Sequence, residues 1–152
     1  MRYVIVGNSA AAVGAVGHRF ASSPEAEHRA LVTQLIDSAL DDDAAVALAS
    51  VHTLREMDGA TAEHVLRVLD RPEPELVHEA VRCIGVNGDA TSFDALIPLV
   101  SHPDWTVRAE TIQVLADRGF GKAVPAILRR LETEQDDFVR DTMLRALDRL
   151  GG

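Results

Sequence analysis

The chain has 152 residues, of which 47% are apolar, 26% charged and 4% aromatic, with a formal net charge of −9 and one cysteine. That length builds one domain with a continuous core, and the negative balance repels phosphate, which argues against nucleic acid or an anionic membrane as partner. The lone Cys83 leaves no intramolecular disulfide framework and fits a reducing, cytoplasmic setting, and no apolar stretch reaches membrane-spanning length.

Residues 1–23 come first. After one arginine, residues 1–17 are apolar, but Asn8 and Ser9 interrupt the run, so it fails as a three-part signal peptide. Ala12, Val13, Gly14, Val16 and Gly17 match the small, aliphatic and glycine columns of the helical blocks further on. This predicts a degenerate first helix, with residues 18–23 as an insertion. Tyr3, Gly7, Ser9, Ala12 and Gly14 also give residues 3–15 a pattern that resembles the opening of flavin-dependent pyridine nucleotide oxidoreductases. That resemblance implies a strand, a tight turn and a helix N-terminus for a pyrophosphate, and thus a flavoenzyme-related fragment. No second strand follows, nor the acid about twenty residues on that a ribose contact needs. The helical reading is therefore preferred.

From residue 24 a repeat takes over. Pro24 opens a helical pattern over 24–40, with Ser23 read as its N-cap. Blocks then begin at Val46, Leu76, Val107 and Val139, at spacings of 30, 31 and 32 residues. Each carries an aliphatic residue eight places in: Leu54, Ile84, Leu115 and Leu147. Three places ahead of each start stands an acid, Asp43, Glu73, Asp104 or Asp136, placed to cap a helix N-terminus. Gly88, Gly119 and Gly151 close three blocks twelve places in, where a left-handed residue ends a helix. At about 100° per residue, the starting aliphatic and the residues four, five, seven, eight and eleven later form one apolar arc, and the opposite arc is polar.

Between blocks, residues 61–69, 92–100 and 123–131 supply a shorter helix, with Thr61 and Thr91 as N-caps. Pro72 and Pro103 force the turn into the next block. A two-helix unit repeated in this way stacks on its neighbours. The expectation is an all-α fold, an α-α superhelix occupying residues 24–152.

Asp104, Val107 and Arg108, and Asp136, Val139 and Arg140, each followed by a small residue, a leucine and a glycine, resemble the HEAT family. The closer likeness is to short bacterial HEAT-like repeats of the kind noted in phycobilisome lyase subunits. The resemblance implies a solenoid that binds a protein partner, catalyses nothing and needs no cofactor. It also offers an alternative, an accessory subunit of a bilin lyase. The arginine column reads Ala47, Val77, Arg108, Arg140, so the first two blocks lack that arginine.

The candidate site residues follow from the phase. Arg108 and Arg140 lie on the inward arc, with Asp104 and Asp136 four residues earlier on the same side, which predicts a structural ladder. The outward column six places into each block reads His52, Arg82, Gln113 and Arg145, bordered by Glu79 and Glu110. In HEAT-like solenoids the second helix of each hairpin lines the concave side, so this column is the predicted partner-binding strip. Trp105, placed in a turn, is a second anchor for a partner. His52, His64 and His78 lack the three- or four-residue spacing of a helical metal site, so no metal is expected. Cys83 falls in a small-residue packing column with Thr53, Val114 and Ala146 and reads as core.

Overall fold

A computed structural model describes residues 24–57 and 65–151. The helix expected within residues 1–23, its dinucleotide-like alternative, and the caps Ser23 and Thr61 lie outside the described residues, as does His64. Among the described residues there are seven α-helices and no strand. The helices are α1 (Glu25–Ala39), α2 (Ala44–Glu56), α3 (Pro74–Asn87), α4 (Ala90–Leu96), α5 (Trp105–Asp117), α6 (Val124–Leu131) and α7 (Asp137–Gly151). Three 3-10 segments, Leu66–Asp70, Ile97–Ser101 and Gly121–Ala123, complete the shorter layer.

The helices α2, α3, α5 and α7 each begin two residues before the predicted block start and pack side by side in that order. Behind this row, the 3-10 segment Leu66–Asp70 lies on α3, Ile97–Ser101 on α5, and α6 on α7. The arrangement is an all-α solenoid of stacked hairpins. Its shorter layer is less regular than expected. The helix predicted over 92–100 begins at Ala90 and tightens to 3-10 geometry at Ile97, next to Pro98, which has no amide to give the ladder.

Two cores run through the stack, and α3 divides them. Leu76, Ala80 and Cys83 on one stripe join Leu31, Leu35, Val51 and Leu54. Val77, Val81 and Ile84 on the adjacent stripe join Leu96, Ile112, Leu115, Ile127 and Met143. Residues spaced by three and four lie on one helical face, and two neighbouring faces give α3 a core on each side.

The caps follow the predicted chemistry at three of four starts. The Asp43 carboxylate accepts from the Ala45 amide at 2.9 Å, Asp104 from Thr106 at 2.8 Å and Asp136 from Val139 at 3.0 Å. Glu73 makes no such bond, and Pro74 opens that helix instead. Thr91 is not a cap. Asp89, two residues earlier, accepts from the Ser92 amide at 3.0 Å, because a carboxylate is the better acceptor for orphan amides. Helix α1 begins at Glu25, so Pro24 stands just outside it.

The glycines behave differently from one another. Gly119 takes the left-handed conformation, φ 64°, and ends α5 as expected. Gly88 is extended, with φ −79° and ψ 166°, and its small size is needed because a Cβ there would meet the Ile84 carbonyl oxygen at 2.5 Å. Gly151 lies within α7.

Arginines tie neighbouring repeats together through carbonyl oxygens. Arg71 donates to the Asp41 carbonyl at 2.6 Å, and Arg118 donates to those of Gly85 at 2.6 Å and Val86 at 2.9 Å. Carbonyls near the end of a helix have no intrahelical partner, and a guanidinium fork satisfies two at once.

Candidate partner-binding strip

The predicted outward column is borne by α2, α3, α5 and α7, whose side-by-side packing brings equivalent positions into a row. His52, Arg82, Gln113 and Arg145 are all exposed. The acidic neighbours of His52 and Arg82 lie across the repeats, not along one helix. His52 Nδ1 lies 3.2 Å from Glu79 Oε1, and Arg82 Nε lies 3.9 Å from Glu110 Oε1. In the first two blocks the residue six places in thus faces the residue three places into the next.

Glu79 departs from its predicted exposure. It is 8% exposed, because Arg55 on the preceding helix closes over it with Nη1 at 3.0 Å. That nitrogen lies off the hydrogen-bonding direction, so the contact is one of charge. Glu110 stays half-buried and is also approached by His78 Nε2 at 3.5 Å. Arg145 pairs along its own helix with Asp141, and Arg149 reaches Asp117 on α5.

Two adjoining grooves run along this row. The first, about 390 Å³, is lined by Arg55, Arg82, Glu110, Asp117 and Arg118 among others. The second, about 420 Å³, is lined by Gln113, Asp117, Phe138, Arg145 and Arg149 among others. Asp117 borders both. The predicted column therefore falls into two parts, Arg82 with Glu110 in the first groove and Gln113 with Arg145 in the second. His52 lines neither.

Trp105 is the first residue of α5, not a turn residue, since the Asp104 cap starts the helix directly before it. It is 47% exposed and meets Phe138 of α7 edge-to-face, with ring centroids 5.9 Å apart. Phe138 is itself 52% exposed, and the sequence reading missed it. The signal available was its position directly after the helix-opening Asp137, where an apolar side chain has no inward face to join.

The predicted ladder is built from other partners than expected. Arg108 is 7% exposed, and it forms a two-pronged pair with Glu134 through Nε and Nη2, both at 2.8 Å. Its Nη1 donates to the His102 and Pro103 carbonyls at 2.9 and 3.0 Å. Arg140 donates to the Leu131 and Glu134 carbonyls, each at 3.1 Å. Asp104 and Asp136 cap helices and pair with neither arginine, since the side chains leave the helix towards the preceding loop. The Asp104 carboxyl is held below its ordinary range, first by the Thr106 hydroxyl.

Glu134 is marked by no repeating column of the sequence. It sits in the turn before α7, outside any column, and stacking alone buries it. Burial pushes its carboxyl up, but bonds from Arg108, the Asp136 amide and Arg130 outweigh this and hold it at about 2. Cys83 goes the other way: burial, reinforced by Glu79, raises its thiol to about 11, which favours the neutral thiol of a packing residue. Among the described residues no group of three or more His, Cys, Asp or Glu is placed to hold a metal, and no helix is long and apolar enough to cross a membrane.

No curated protein matches the chain. A crystal structure of an engineered protein from the Northeast Structural Genomics Consortium is similar in fold, with a TM-score of 0.56 over 93% of this chain and 71% of that one, at 19% identity. The model of HEAT repeats matches residues 62–148, which takes in α3, α5 and most of α7 with the turns between them. Capped helical hairpins, stacked in register and matched over more than half of the sequence, place this chain in the HEAT-repeat family.

Proposed function

We propose that this protein is a non-catalytic interaction module, and that its protein partner seats on the row formed by α2, α3, α5 and α7. HEAT repeats generally mediate protein–protein interaction or scaffolding, which supports the class. The observation that carries the choice of face is the pair of adjoining grooves, which meet at Asp117 and hold Arg82, Gln113 and Arg145. Trp105 and Phe138 add a half-exposed aromatic pair where α5 meets α7, and such pairs anchor interfaces. Carboxylates and guanidinium groups alternate along the grooves, so the fitting surface is a protein of mixed charge and not a phosphate backbone. Glu79 supports the row from beneath by holding His52 and Arg55.

The finer likeness to lyase-type repeats rests on sequence columns alone, and a bilin accessory role would be recognised by visible absorbance on mixing with a bilin. The groove reading is tested by reversing Arg82 and Arg145 to glutamate and comparing capture from native extract with that of the wild type. The expected result is a partner lost at low salt, with the circular dichroism spectrum and melting transition unchanged. Equal capture by both proteins would overturn the choice of face.

A further inference from the structure

We infer that two copies of this chain pair through α7, antiparallel and two-fold symmetric, about Leu144. Three columns set α7 apart from the other helices of the row. The residues one, five and nine places into each block form a stripe at helical spacing of four. In the first three blocks that stripe is covered by the next repeat. Ala47, Val51, Val77, Val81 and Ile112 are wholly buried, Arg108 is 7% exposed and Ala116 6%, and Arg55 and Gly85, nine places into the first two blocks, are partly buried. In α7 the same stripe is Arg140, Leu144 and Asp148, and all three are exposed, Leu144 at 53%. The shorter layer repeats the pattern. Leu66 and Ile97 are partly buried against the core, whereas Leu128, at the corresponding place in α6, is 50% exposed.

The order of charges on the stripe identifies the occupant. Arg140 stands one turn before Leu144 and Asp148 one turn after. An antiparallel copy centred on Leu144 therefore sets Arg140 against Asp148 of the second molecule, and Asp148 against its Arg140. Both charges are available. Neither takes part in an ion pair among the described residues, and Arg140 uses only Nη1 for its two carbonyl bonds. Its buried counterpart Arg108 meets a carboxylate from the next repeat, so the position is one that takes an acid. A two-fold interface is self-complementary by construction, and this stripe has that property. The interface uses the face of α7 beside the one that lines the second groove.

Sedimentation equilibrium over a hundredfold concentration range is the primary measurement, on the full chain. The wild type is expected to be a monomer–dimer mixture, and Leu144→Asp a monomer with unchanged helicity. Asp148→Arg alone and Arg140→Glu alone should each weaken the dimer about tenfold or more, by setting like charges together. The double variant Arg140→Glu/Asp148→Arg should restore it, since the pairs are only exchanged. A wild type that stays monomeric overturns the proposal, as does a double variant no better than the single ones. Open-ended oligomers that grow with concentration overturn it in favour of head-to-tail stacking. Because Arg140→Glu also removes two carbonyl bonds, Leu144→Cys gives a second reading. It places two thiols on the two-fold axis, while Cys83 is buried and silent. Oxidation should yield a covalent dimer from Leu144→Cys and none from Leu144→Cys/Asp148→Arg at the same concentration. Equal cross-linking of the two would count against the charge pairing.

Discussion

Glu134 carries more of the repeat junction than any other single side chain. Its carboxylate receives Arg108 from α5, Arg130 from α6 and the amides of Gln135 and Asp136, so three elements converge on two oxygens. A buried pair is costly to break from one side, because the abandoned charge stays desolvated. Glu134→Gln is expected to lose about 3 kcal/mol in urea melts at pH 7. The pH dependence has a definite sign. A carboxyl held at about 2 when folded, against an ordinary 4.5, contributes stability that is complete above 4.5 and lost as the pH falls towards 2. The contribution is on the order of 3 kcal/mol. The gap between wild type and Glu134→Gln should therefore close between pH 4.5 and 2, and a gap constant over that window would refute the assignment.

At the scale of the element, helical phase is the quantity under test. Leu115 is wholly buried in the core on one side of α5, and Gln113, two residues earlier, faces outward. Leu115→Ala should cost about 2–5 kcal/mol, as buried leucine truncations do, and Gln113→Ala less than about 0.5 kcal/mol. Equal losses would show the phase to be wrong. This phase was legible in the sequence because burial here repeats: the starting aliphatic and the residue eight later are inward in every block, and a helix period read four times is hard to misplace. What escaped was set by contacts between repeats. Glu79 and Thr142 lie on the polar arc yet are buried, Glu79 because Arg55 of the preceding helix closes over it. The predicted use of Gly88 failed for a similar reason, since a close approach and not a left-handed turn requires it. Glu134 lies outside every column, and no periodicity marks a residue whose burial comes from two helices meeting over a turn.

At the scale of the molecule, the main packing among the described residues runs between neighbouring repeats, so stability spreads from one hairpin to the next. The two cores share α3, so the halves are expected to unfold in one transition. The grooves are rimmed by exposed charge, so the double reversal of Arg82 and Arg145 should matter less as salt rises and screening shortens its reach. Persistence of the full effect in high salt would point to a packing defect instead. The sequence indicated the row of second helices but not the division of the strip at Asp117, which depends on how far apart successive helices stand. One feature of that row equips the protein for its own study. Trp105 is the only tryptophan in the chain, and it rests edge-on against Phe138 where α5 meets α7. The protein thus carries a native fluorophore on one seam, whose emission follows the separation of those two helices, while far-ultraviolet ellipticity follows all helices at once. With α3 holding both cores together, the two signals should share one urea midpoint. A red shift in emission at lower urea than the loss of ellipticity would mean that this seam opens first.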